Sequence, residues 1–330
     1  MLHINHGDQA TQRLSTLGLP GDFLAWNDVL HEGALPSGLT LEEMSKIRAA
    51  FIAGRHWATH MEAQLHFQTR DTILQSGAEA GEVVFWLTPE LYDHLHLLQV
   101  FTWFAGEGKH CNPPQFVVLH QGFYEDASTD QALKTAFQQR ETASDAVLED
   151  CSRLWDAITA PSPRALEEAV HDDALWRRLD GHFPHMKEAI VRLCAEYPDA
   201  SGLSLTQAYV LSALQEGDLT PFDLFKAVRA QEQAPFMGDA SFWLILNEMI
   251  HAESPLLTWQ GEGAFTPPEL MGFDEAFSKG SIGLSGYGKS VQDGQDWLET
   301  HTLDRWVGGV RLTVPGCWRF DRAHNRFSRS

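Results

Sequence analysis

The 330-residue sequence is short of cationic side chains and of cysteine. Twenty-four Lys and Arg stand against 45 Asp and Glu, a formal net charge of −21 at pH 7. A nucleic-acid surface would have to be assembled against that field, which disfavours nucleic acid as a partner. The four cysteines, Cys111, Cys151, Cys194 and Cys317, lie far apart and form no Cys-x-x-Cys pair. That excludes zinc-ribbon and dithiol redox signatures and leaves reduced thiols as the expectation. No apolar run approaches the roughly 18 residues of a membrane span, and the stretch "MLHINHGDQA" carries no basic leader region. A cytoplasmic location without a membrane partner is expected. There is no internal repeat and no low-complexity segment.

What is present is a composition able to form packed cores: 43% hydrophobic residues, with 11 Trp and 19 Phe. The length predicts two or three domains. Residues 1–125 read as alternating strands and helices. "LHIN" (2–5), "DFLAWND" (22–28), "EVVFWL" (82–87) and "PQFVVLH" (114–120) are apolar strand candidates. One long helix is expected from Thr40 to about Gln75, with Thr40 and Glu43 at capping-box spacing. Another is expected over 88–106, with Pro89 in its first turn. Four apolar strands separated by helices imply a parallel sheet covered on both faces, so the N-terminal domain is expected to be α/β and Rossmann-like.

From Asp126 the pattern becomes helical, giving a helical linker region over 126–200 and a third segment over 201–330. In that segment three short helices and an apolar strand suggest a winged-helix-like module. The stretch "DRWVGGVRLTVPGCWRFDRAHNRF" alternates as a C-terminal β-hairpin would. Its expected recognition helix, "DASFWLILNEMIHA" (239–252), holds no Lys or Arg, so it suits packing against protein better than reading a DNA groove. Phe236, Phe242 and Trp243 are expected in the core rather than on a base-stacking platform.

In a parallel α/β sheet, ligands bind beyond the carboxyl ends of the strands, where loops and helix N-termini converge. "NHGD" (5–8) ends the first strand and "NDVLHEG" (27–33) the second. If these strands are neighbours, Asp8, Asp28, His31 and Glu32 face one crevice, with Gly7 allowing close backbone approach to a ligand. The bland reading is that Asp8 caps a helix and Asn27 and Asp28 form an Asx turn. Three clustered carboxylates would repel a bare phosphate, so Arg48 or Arg55 on the following helix, a metal or a ribose must accompany any anion there.

Other motifs carry less. His56 and His60 are four residues apart and could ligate a metal, yet the zincin Glu is absent. "GLSGYGKS" (283–290) satisfies the phosphate-loop formula, but no apolar strand is expected before it and Gly294 breaks the helix expected after it. Nucleotide binding by Lys289 and Ser290 is therefore disfavoured. No G-x-S-x-G elbow is present.

Together, "LHINHGD", "WNDVLHEGALP", "RAAFI" (48–52), "VVFWLTPELYDHLHLLQ" and the C-terminal "DRWVGGVRL" and "WRFD" resemble the bacterial domain-of-unknown-function 1835 family, over most of residues 1–125 and in segments beyond. The resemblance implies Asp8, Trp26, Asp28, His31, Glu32, Gly33 and Arg48 as positions of interest. It treats the 283–297 stretch as a family element rather than a phosphate loop. Gly7-Asp8-Gln9 stands where the family pattern has Gly-Asp-Ser, and Ala34 follows the His-Glu-Gly motif where it has Pro. The resemblance supplies no activity.

Two readings stay open. In one, the N-terminal domain binds a small polar ligand (phosphate-, nucleotide- or metal-containing) through Gly7, Asp8, Trp26, Gly33 and Arg48, as a hydrolase or transferase. Asp28 or Glu32 would then be general base, His31 acid or base, and Arg48 the anion partner. A His beside two carboxylates is expected to have a raised pKa. In the other, the chain is a non-enzymatic sensor whose helical part binds a protein partner or a second copy. The sequence names neither the ligand, nor a metal, nor a cofactor.

Overall fold

The first apolar run, "LHIN", becomes β1 (Leu2–Asn5), all four residues buried, and the strands around it set the frame of the N-terminal part. In the computed structural model, which describes residues 1–234, 236–270, 272 and 274–329, the chain divides into two units. One comprises Met1–Leu193 with Trp306–Arg311, the other Cys194–Arg305 with Leu312–Ser330.

In the first unit β1 is followed by α1 (Asp8–Ser15), β2 (Asp22–Ala25), α2 (Leu41–Gly54) and α3 (His60–Ala80). Then come β3 (Val83–Leu87), α4 (Leu91–Ala105), β4 (Gln115–Val118), α5 (Asp130–Gln138) and β5 (Glu141–Thr142). Helices α6 (Asp145–Thr159), α7 (Arg164–Val170), α8 (Asp173–Leu179) and α9 (Met186–Cys194) follow. The sheet order is β2-β1-β3-β4-β5, parallel from β2 to β4, with the two-residue β5 antiparallel at the edge. The register aligns Leu2 with Asp22 and Val83, and Leu87 with Val118, so the carboxyl ends of four strands open at one end of the sheet.

Both sheet faces are covered, as the continuous apolar strands require. On one face Ala10 and Leu14 of α1 and Leu133 and Phe137 of α5 pack with Val84, Trp86 and Val117. On the other, Phe101 of α4 meets Phe85 and Phe116 edge-on. The α4 helix is buried almost all round, which is why its sequence reads apolar on every side. Residues 126–193, expected as a linker region, belong to this unit: α5 covers the sheet, β5 extends it and α6 packs along α4.

The helix expected over 40–75 is two helices. The first ends at Gly54, and after a turn through His56 at φ 60° a second capping box, Thr59 with Glu62, starts α3. The Thr40–Glu43 box is formed as expected.

The second unit holds α10 (Leu205–Ala213), α11 (Pro221–Arg229), α12 (Asp239–His251), β6 (Leu257–Gln260), α13 (Glu275–Lys279), β7 (Ser281–Leu284) and α14 (Gly286–Gln292). The hairpin of β8 (Asp304–Val307) and β9 (Val310–Thr313) carries the Trp306–Arg311 segment of the first unit, and β10 (Trp318–Asp321) pairs with β11 (Arg326–Arg329) in the second. The expected C-terminal hairpin is therefore two hairpins. Phe236, Phe242 and Trp243 are buried core residues. No helix among the described residues is long and apolar enough to cross a membrane.

Candidate functional site

The site begins where β1 ends. Asn5 is fully buried, and its amide donates to the carbonyls of His6 and Gly7 while its Oδ1 accepts from Thr11. These bonds fold the loop back over the strand. Gly7 sits at φ 86°, a conformation that favours glycine, and nothing lies within 4 Å of where a Cβ would stand, so its backbone is approachable. The next strand's loop is tied to it: Asn27 Oδ1 accepts from the Gly7 N–H at 3.2 Å, and Asn27 Nδ2 donates to Asp8 Oδ1 at 3.1 Å. The loops after β1 and β2 thus lie side by side, with Asp8 exposed at the rim.

Asp28 faces inward. It is 5% exposed, and Arg48, 1% exposed, donates to it from Nε at 3.1 Å to both oxygens and from Nη2 at 2.9 Å. The same guanidinium reaches the carbonyls of Glu32 (2.8 Å) and Val29 (3.1 Å), so every nitrogen of Arg48 is engaged. Asp28 also accepts from the Val29 N–H, and its carbonyl accepts from His96 Nε2–H, which fixes that tautomer. Glu32 pairs with Arg55 at 2.9 Å, and its other oxygen lies 3.7 Å from His31 Nε2. Gly33, at φ 77°, lets the loop pass Phe51 and Arg48: a Cβ there would lie 2.5 Å from the Phe51 ring. Trp26 is fully buried, donating to Gln99 Oε1 and lying under the Arg70 guanidinium at 3.9 Å. The residues expected in one site are close in the fold, but Trp26, Asp28, Gly33 and Arg48 form a closed frame, and only Gly7, Asp8 and part of Glu32 approach solvent.

A second group was not singled out from the sequence. It comes from the end of β3 and the first turn of α4. Thr88 donates to Asp93 Oδ2 from its N–H (2.8 Å) and its hydroxyl (2.5 Å). Burial, and then the nearby Glu90 charge, push the Asp93 carboxyl up to about 8, against the hydrogen bonds from Thr88 and from the His6 N–H. Tyr92 stacks on His6 at 4.6 Å and 3°, and His31 meets it edge-on at 5.1 Å. His6 and His96 lie 5.1 Å apart. Burial lowers the His6 imidazole to about 4 and His96 well below its ordinary range, so both are neutral at pH 7. The strand-end rule, applied to "LTPELYDHLH" as to the first two strands, would have found this group.

No known family model and no curated protein sequence matches the chain.

The arrangement at these loops is a polar cluster, largely buried and uncharged at neutral pH: two imidazoles and a carboxylic acid, with the Tyr92 ring stacked on His6. Among the described residues no group of three or more His, Cys, Asp or Glu side chains is placed to hold a metal ion. His56 lies in the turn before α3 and His60 is its first residue, so they do not share a helix face. The "GLSGYGKS" stretch does join a strand, β7, to a helix, α14, correcting the expected lack of context. Its turn is the single residue Ser285, whose hydroxyl caps Gly288 N–H, so the backbone donors of a phosphate loop are folded into a helix start.

Proposed function

We propose that the chain binds a small polar ligand at the carboxyl ends of β1 and β3, in a Rossmann-like arrangement, and that binding rather than turnover is its primary activity. The observation that carries this reading is the strand order. The chain leaves β1 toward β2 through α1 on one face, returns through α2 and α3 to β3, and leaves β3 toward β4 through α4 on the other face, so the gap between β1 and β3 is the point where the crossovers diverge. Ligands of open α/β sheets bind at such points. Gly7 and the start of α1 form one lip, and Thr88 to Asp93 the other.

The chemistry favours a nucleoside-like ligand. Arg48 is consumed by Asp28 and two carbonyls, so it offers nothing to a phosphate. Asp8 can accept from ribose hydroxyls, and the half-buried His6 can pair with a base edge while neutral. In this reading Asp28, Glu32 and Arg48 shape the loop, and the motif shared with the domain-of-unknown-function 1835 family is a structural signature of that loop. The hydrolase or transferase reading is favoured by one observation, the Asp93 carboxyl beside Glu90: an acid poised near neutrality suits proton donation.

The second unit supports a companion role. Helices α10 to α12 followed by the β6–β7 pair are winged-helix-like, and α12 without Lys or Arg suits a protein partner or a second copy better than DNA.

Thermal-shift and calorimetric titration with adenosine, guanosine, ATP, ribose 5-phosphate, Mg²⁺ and Zn²⁺ tests the proposal. A nucleoside should raise the melting temperature, and Asp8→Ala should weaken its binding about tenfold without changing stability. A panel that leaves the melting temperature unmoved would refute the binding reading. Turnover of a phosphoester lost in Asp93→Asn would replace it with the enzymatic one.

A further inference from the structure

Away from the strand ends, α2 and α3 pack against each other and leave a cavity of about 260 Å³ between them. Its lining includes Ser45 of α2 and Phe67, Gln68 and Asp71 of α3. Asp71 and Ser45 are each 5% exposed and Phe67 2%. The Asp71 carboxylate takes two hydrogen bonds on Oδ1 from Arg70, at 3.0 and 2.8 Å, and one on Oδ2 from the Ser45 hydroxyl at 2.6 Å. Arg70 in turn is held against the rings of Trp26 and Phe67. A buried ion pair contributes weakly to net stability, because desolvation offsets its attraction. This one differs from Asp28–Arg48 in that its acidic member reaches a cavity.

We propose that this cleft is a second binding site, for a neutral ring bearing several hydroxyls, of the size of a pyranose or a cyclitol. Three features set that class. The charges on the lining are already matched, Asp71 by Arg70 and Glu42 by Lys46 at 2.7 Å, so the cleft has no net charge to select an ion. Gln64 and Gln68 lie one turn apart along the α3 wall and Gln75 two turns further on, and each amide offers both donors and acceptors, as hydroxyls do. Asp71 Oδ2 keeps acceptor capacity beyond its one bond to Ser45, and Phe67 contributes an apolar edge to the lining. The volume lies just below the range for drug-sized ligands, which limits the occupant to one ring.

The test is a titration of the full chain with glucose, N-acetylglucosamine and myo-inositol, followed by the backbone and side-chain amide resonances. At least one of the three should give saturable shifts at Gln64 and Gln68. Gln68→Trp, a surface substitution that fills the mouth, should weaken that binding tenfold or more. Asp8→Ala, at the strand-end crevice, should leave it unchanged. Absence of saturable shifts with all three compounds, or unaltered affinity in Gln68→Trp, overturns the proposal without bearing on the strand-end reading.

Discussion

Replacing Arg48 by Met keeps the length and much of the volume of the side chain while removing its charge and all its donors. The structure assigns those donors to three acceptors: the Asp28 carboxylate, the Val29 carbonyl and the Glu32 carbonyl. Removing one partner of a buried ion pair costs about 3–5 kcal/mol, because the other charge stays in a poor solvent. Each carbonyl left without a donor adds about 1–3 kcal/mol unless water replaces it. Arg48→Met should therefore lower unfolding stability by at least about 4 kcal/mol, most of a typical domain's total. The double variant Asp28→Leu with Arg48→Met removes both charges and should recover more than about 2 kcal/mol of that loss, since an apolar pair of similar volume can match a buried ion pair. Urea unfolding followed by far-ultraviolet dichroism, with tryptophan fluorescence to check that both probes report one transition, measures both numbers. A loss below about 1 kcal/mol in Arg48→Met would refute the inference that this guanidinium holds the loop, since a solvated pair costs about that much. Failure of the second substitution to rescue would place the loss in the carbonyl contacts instead.

Further outcomes follow from other sites. Gly33→Ala combines a φ of 77° with a Cβ 2.5 Å from the Phe51 ring, and should cost about 2 kcal/mol or more in the same assay. Both ring nitrogens of His94 lack hydrogen-bond partners, and burial, with the His185 charge, lowers its pKa to about 3. The native state then binds fewer protons than the unfolded one from about pH 6.5 down to 3, so this contribution is complete above 6.5 and lost as pH falls. His94→Leu should match the wild type at pH 7 within about 1 kcal/mol and move the acid-unfolding midpoint to lower pH. Asp93 has the opposite sign: its carboxyl, raised from 3.8 to about 8, gives stability that is complete below 3.8 and lost as pH rises through 8. Asp93→Asn should therefore flatten the decline in stability between pH 5 and pH 9, measured by urea titration at each pH.

The sheet was legible because burial on both faces leaves an unbroken apolar run, and "VVFWL" of β3 is buried at every position. The break between α2 and α3 was legible too, in the Thr59–Glu62 spacing that repeats the Thr40–Glu43 box, but an unbroken helical reading passed over it. The β7–α14 junction differs from expectation because "SIGL" is short and gains its strand character from pairing with β6, whose partner residues lie 21 to 27 positions earlier in the chain. That Asp28 is paired with Arg48 was not legible, because sequence records residue type and not direction. Whether a carboxylate faces a crevice or an arginine twenty residues away is decided by the helix that follows. The β1–β3 gap depends on strand order, a tertiary property that no local pattern encodes.

The turn at Trp306–Arg311 belongs to the first unit, where Gly308 supplies the carbonyl for Leu35 N–H and Gly309 donates to the Ile158 carbonyl. During synthesis the ribosome releases Leu35 and Ile158 long before it makes either glycine. Until residues 306–311 have emerged, those two backbone groups of the N-terminal unit have only water for partners. A nascent chain stalled short of residue 306 would carry an unfinished unit into the company of chaperones and proteases, however complete its sheet.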